Sequence, residues 1–385
     1  MQRLKGLTWD HPRGYNALAA AARRPELAES ELSIDWDKQP LEGFESHPIA
    51  DLCARYDLVV LDHPHVGEAV AGDCLQSLES VFGDAAVQAL QAESIGPSLR
   101  SYRFAGAHWA LPLDAATQVM AVRADLLDPL GRPVPLLWDE VAEISRSTGR
   151  VALSLAGPHA ALSFLSIAAA FGEPPAEKDP DLLVSKDTGR QVYELMDDLA
   201  ARSPRSVREK NPIGILGHMA RHDDVVLCPL VYGYVNYAAP LEGHAIAFHN
   251  APRRAAGGRP GSTLGGTGIG ISKRCEVTPA LKQHLLWLMG REAQIGFIPG
   301  HDGQPSSRES WHDAGVNARW GSFYENTADT LEQAYVRPRH DGYIAFQGKA
   351  SALLRQAFEE RAEADRVLDD LQALYASHRA AGGER

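Results

Sequence analysis

The chain has 385 residues, 44% of them hydrophobic and 23% charged, with a formal net charge of -12. This length exceeds what one hydrophobic core ordinarily serves, so it predicts two lobes with a cleft, and the composition excludes a disordered or fibrous chain. The acidic balance argues against a nucleic-acid or anionic-membrane surface, both of which reward clustered Lys and Arg, and points to a small partner.

The first residues carry a little positive charge but no apolar stretch and no small-residue cleavage site, so no export signal is read there. A cytoplasmic protein is expected, or a periplasmic one if a signal peptide has been removed. Trp9, Asp10, His11 and Arg13 stand where an early strand turns into a helix. Residues 57–62 predict a strand that ends in Asp62, followed by a loop with His63, Pro64 and His65. In open α/β sheets, ligands gather at such carboxyl ends. Residues 151–155 predict a second strand, after which Gly157 and Pro158 open an apolar helix. That apolar stretch, 160–171, is far shorter than the roughly 20 residues of a membrane span and reads as a buried helix.

Residues 172–181 read as a linker, and 225–231 as a third buried strand leading into Tyr232, Tyr234 and Tyr237. Residues 255–270 hold seven glycines and read as loop or turn. From Ser351 to about Tyr375 apolar residues recur at helical spacing, which predicts an amphipathic helix or helix pair; 380–385 read as a frayed end. Alternating strand-length and helix-length segments predict βαβ units around mostly parallel sheets, hence an α/β fold. The four cysteines, Cys53, Cys74, Cys228 and Cys275, form no CxxC pair, so buried reduced thiols are expected.

The order of five stretches resembles the family 1 extracellular solute-binding proteins, the maltose-binding type that serve ABC importers. They are GLTWDHPRGY at 6–15, YDLVVLDHP at 56–64, ALPLDA at 110–115, GGTGIGIS at 265–272 and IPGHDGQPS at 298–306. The resemblance spans almost the whole chain. It implies a periplasmic-binding-protein-like (type II) architecture: two α/β lobes joined by a hinge, with a ligand cleft between. The implied N-terminal lobe is 1-115 plus 268-312, and the C-terminal lobe is 116-267 plus 313-385. Within that likeness, 265–272 corresponds to a strand returning to the first lobe. The family's members carry a secretion or lipoprotein signal, whereas here the first strand begins almost at Met1.

Candidate ligand contacts are Trp9, Asp10, His11, Arg13, Asp62, His63, Asp114, Tyr232, Tyr234, His301, Gln304 and Arg339. Trp9 and the tyrosines offer ring faces, and Arg13 a planar fork of donors for a carboxylate or a hydroxyl pair. Each has a plainer alternative. Asp10 caps the following helix and pairs with Arg13; Asp114 caps a helix containing Val119 and Met120; the charged run 337–341 is a solvated turn. His63 and His65 supply two metal ligands where three must converge, so no metal is expected. Gly266, Gly268 and Gly270 do not make a dinucleotide loop, because they precede a strand and not a helix. No cofactor is expected.

These residues suit a protein that closes its lobes on a small polar ligand: a sugar, polyol or small organic acid. The alternative is an enzyme on the same fold, a lyase, hydratase or isomerase with His11, Asp62 and His63 as candidates for acid-base chemistry. An ABC importer is the partner if the chain is exported; neither nucleic acid nor membrane insertion is expected.

Overall fold

The computed structural model describes residues 1–240 and 242–381. Its principal strands are β1 (Gln2–Trp9), β2 (Leu32–Gln39), β3 (Leu58–Leu61), β4 (Leu111–Val122), β5 (Leu227–Tyr232), β6 (Ala247–His249) and β7 (Leu264–Ile271). The helices used below are α1 (Pro12–Ala21), α2 (Ile49–Arg55), α3 (Val66–Ala71), α4 (His159–Ala170), α5 (Tyr343–Glu360) and α6 (Ala364–Ala381).

The chain divides into two compact units. The first is Met1–Ala116 with Gly265–Ala318 and Arg339–Asp341; the second is Thr117–Leu264 with Arg319–Pro338 and Gly342–Arg385. Residues 313–318 and Arg339–Asp341 thus group with the first unit.

In the first unit the strand order is β2-β1-β3-β7-β4. β1 lies parallel to β2, with Gln2 opposite Leu32, and parallel to β3, with Leu7 opposite Val59. β3 is wholly apolar and buried because it has a strand on each side; its other neighbour, β7, is antiparallel, with Leu61 opposite Gly268. The glycine-rich stretch is therefore half strand rather than all loop. Its glycines answer a packing need: a Cβ on Gly268 would lie 2.7 Å from the Tyr102 ring, and one on Gly270 would lie 2.9 Å from Leu61. The sheet is mixed rather than mostly parallel.

In the second unit the later half of β4 pairs antiparallel with β5 and β6. Helix α4 has every residue buried, in keeping with its unbroken apolar sequence, and packs against α5, which in turn packs on α6. The stretch 151–155 is not a strand. It makes one bridge, Val151 to Leu227, and then donates Leu153 N to the Ser203 hydroxyl before turning at Gly157; its apolarity reflects burial without a ladder. The paired C-terminal helices follow the predicted spacing. Ala380 lies within α6, and the rest of the predicted frayed end, beyond residue 381, lies outside the described residues. No helix among the described residues is long and apolar enough to cross a membrane.

Candidate functional site

At the end of β1 the chain turns sharply into α1. His11 is the helix N-cap, with Pro12 in the first helical turn, and its Nδ1 accepts a hydrogen bond from Arg13 N at 3.1 Å. Asp10 is thus not the cap. It faces the neighbouring strand, where its carboxylate meets Lys38 Nζ at 2.7 Å and its amide donates to Gln39 O. Because Nδ1 accepts, the His11 ring proton sits on Nε2. Burial, and secondarily the Arg13 charge, pull the His11 pKa down from 6.5 to about 4, so the ring is neutral at physiological pH.

The His11 ring stacks on the buried Trp9 indole, with centroids 5.2 Å apart and planes 9° from parallel. The Arg13 guanidinium lies 5.6 Å from the same indole. Gly14 makes room, since a Cβ there would come within 2.3 Å of the Trp9 ring. Arg13 is itself buried and forks onto Asp114: Nε donates to Oδ2 at 2.8 Å and a terminal nitrogen donates to Oδ1. Asp114 therefore caps no helix; it lies in β4, a twelve-residue strand that also contains Val119 and Met120. Gln304 fastens the late polar loop to the next residue, donating its amide to Ala115 O at 3.1 Å while accepting Ala115 N at 3.2 Å.

A second cluster forms at the end of β3. Asp62 caps the short turn His63–His65, its Oδ1 taking His63 N at 2.8 Å and lying 3.1 Å from His63 Nδ1. The buried His63 ring stands edge-on to Tyr102, whose hydroxyl donates to Leu61 O at 3.3 Å. Tyr102 was not among the sequence candidates; it ends a single 3-10 turn, Arg100–Tyr102, with no flanking signal. Strand β7 links the two clusters. A Cβ on Gly266 would strike Asp114 O at 2.3 Å, and Gly268 lies against Tyr102.

Other candidates are engaged elsewhere in the first unit. His301 Nδ1 donates to Phe297 O at 2.8 Å, and its ring packs on Phe297. Arg339 donates to three carbonyls, those of Arg100, Ser101 and Arg103, at 2.7 to 3.2 Å. It anchors the three-residue excursion of chain into this unit, which packs so tightly on α3 that a Cβ on Gly67 would fall 1.7 Å from Arg339 O.

In the second unit, the Tyr232 hydroxyl at the end of β5 lies 3.3 Å from Thr263 Oγ1, and its ring meets His159 edge-on. Tyr234 is buried just beyond. His159 was missed by the sequence reading although it opens α4 directly after Gly157 and Pro158. Its burial, reinforced by the charges of Arg337 and Arg355, pulls its pKa from 6.5 to about 3. Arg337 is no part of a solvated turn: it is buried and donates to Gln347 Oε1 at 2.9 Å and Leu264 O at 3.2 Å.

The first unit thus gathers an aromatic face, a neutral imidazole, a paired guanidinium and carboxylate, and an Asp-His pair at strand ends. Such groups suit hydrogen bonding to hydroxyls and packing on the apolar face of a ring. Among the described residues, no group of three or more His, Cys, Asp or Glu is placed to hold a metal ion.

No protein-family model and no curated protein matches the sequence. Solved structures do match the fold. An ABC transporter solute-binding protein from Agrobacterium radiobacter K84, in complex with ribitol, aligns with TM-score 0.80 and 19% identity over 97% of this chain and 98% of that one. Maltose-bound MalE3 of T. maritima aligns with TM-score 0.80 and 16% identity over 97% and 98% of the two chains. UgpB from Mycobacterium tuberculosis, in complex with glycerophosphocholine, gives 0.79 and 16% over 99% of each. The chain has the periplasmic-binding-protein-like fold of the maltose-binding type of ABC transporter solute-binding proteins.

Proposed function

We propose that this chain is a solute-binding protein whose two units close on one small, hydroxyl-rich compound, a sugar or a polyol. The observation that supports it most is the full-length likeness to structures carrying ribitol, maltose and glycerophosphocholine, all small polar solutes. The contacts we assign to the first unit are Trp9, Asp10, His11, Arg13, Asp62, His63, Asp114, His301, Gln304 and Arg339; Tyr232 and Tyr234 belong to the second. Trp9 and His11 supply ring faces, and Asp62 accepts hydroxyl protons. Arg13 and Asp114 act as a pair, which favours a neutral polyhydroxyl solute over an organic acid, because the guanidinium charge is already met. An ABC importer is the partner this reading implies.

The test is native mass spectrometry of the purified chain, followed by calorimetric titration with a panel of sugars and polyols. One-to-one retention of an unchanged solute is the expected result. Absence of binding across the panel would remove the proposal, and conversion of the bound compound into a new product would replace a binder by an enzyme.

A further inference from the structure

The second unit holds a cavity of about 760 Å³ that shares no residue with the contacts assigned above. Four arginines line it: Arg205, Arg208, Arg355 and Arg361. Buried Leu155 and Phe358 add apolar surface, and Glu209 and Glu359 are the carboxylates of the lining. Two segments far apart in sequence hold the guanidinium groups. Arg208 follows the helix Lys186–Arg202 and is tied to its end, Nε donating to Ser203 O at 3.0 Å and Nη2 to Ala201 O at 3.1 Å. Arg355, half-buried on α5, is held through Nη1 alone, which donates to Gly157 O, to Leu155 O at 3.2 Å and to Ser351 Oγ at 3.0 Å. Arg361, just past α5, is ion-paired with Asp197 at 2.6 Å, whereas Arg205 stands exposed in the turn Arg205–Val207. Among the described residues, Arg205, Arg208 and Arg355 meet no carboxylate, although the chain carries a net charge of -12. Nε and Nη2 of Arg355, Nη1 of Arg208 and the whole Arg205 fork are thus donors with no partner in the protein.

We propose that this cavity is a second binding site, separate from the solute contacts, for the phosphate monoester of a small hydroxylated metabolite. A planar guanidinium fork matches two oxygens of a phosphate, and three forks with open donors meet its negative charge. Burial lowers the pKa of Arg355, the mark of a cation whose charge is incompletely met, and Glu359 opposes this only in part. A bound dianion supplies the missing charge. The volume is that of a small-molecule site. Glu209 and Glu359 accept from hydroxyls on the rest of the molecule and repel a longer polyanion such as a nucleic-acid strand.

The test is calorimetric titration of the full chain, at low ionic strength, with glucose phosphorylated on its primary hydroxyl, with inorganic phosphate and with glucose, followed by hydrogen exchange on each complex. The phosphorylated glucose should bind one-to-one, more tightly than inorganic phosphate and more weakly as salt is raised, and should protect amides at 203–209 and 355–361. Arg205→Gln and Arg208→Gln, both at exposed positions, should each weaken it about tenfold, and the double variant should abolish it. Arg355→Gln should act in the same direction; because it also releases the turn at Gly157, the exposed pair decides the outcome if that variant does not fold. Phosphorylated glucose that fails to bind, binds no tighter than inorganic phosphate, or keeps its affinity in the double variant would overturn the proposal, as would glucose protecting the same amides.

Discussion

Arg13, in the first turn of α1, and Asp114, in β4, form a two-pronged ion pair that leaves each residue only 6% exposed. Removing one partner strands a buried charge, a far larger penalty than the net worth of the pair. Arg13→Ala should therefore cost about 3–5 kcal/mol, while the double change Arg13→Met with Asp114→Leu should recover most of that loss. Urea unfolding of the single and double variants reads both values; an Arg13→Ala loss under about 1 kcal/mol would show that the pair is not insulated from water.

Three histidines set a pH dependence, His159 and His284 buried and His11 half-buried. Burial is the leading cause in each case: His11 and His284 have pKa values lowered from 6.5 to about 4, and His159 to about 3. Each ring stays neutral in the folded chain but takes up a proton once unfolded below about 6.5, so unfolding binds protons in that window. Stability should be flat above about pH 6.5 and fall toward pH 4 by about 1.4 kcal/mol per pH unit for each histidine. His159→Gln should reduce the acid slope by close to one proton. A slope unchanged in that variant would mean that His159 is protonated in the fold.

Gly67 and Arg339 hold the short excursion Arg339–Asp341 against the first unit. Gly67→Ala places a methyl group where Arg339 O now lies, so the excursion must shift, at about 1–3 kcal/mol. Arg339→Ala removes three bonds to carbonyls and should cost a similar amount. Hydrogen exchange should locate both effects: amides at 337–341 speed up in each variant while those of β5 do not. Unchanged exchange at 337–341 in both would refute the anchoring role.

If Asp62 accepts solute hydroxyls, Asp62→Ala should weaken binding by about 10- to 100-fold, the value of a charge-assisted hydrogen bond or two. Lys186→Ala, at an exposed ion pair with Asp369 in the second unit, serves as the control and should leave affinity within about twofold. Calorimetric titration with the retained solute measures both; equal affinities would remove Asp62 from the site.

Local pattern determined much of this protein before any coordinates: the apolar strand at 58–61, the wholly buried helix α4 after Gly157 and Pro158, and the C-terminal helix pair all follow from periodicity and turn chemistry acting over a few residues. The order of short motifs along the chain also pointed to the two-unit solute-binding architecture. What only the tertiary structure decided was partner choice. Arg13 meets Asp114 rather than nearby Asp10; the glycines of β7 serve as a strand because Tyr102 and Leu61 need the space; and the apolar run at 151–155 is buried without joining a ladder. Strand and helix preferences are short-range energies written into neighbouring residues, whereas these pairings depend on which distant segments folding brings into contact, and no window of the sequence contains both halves.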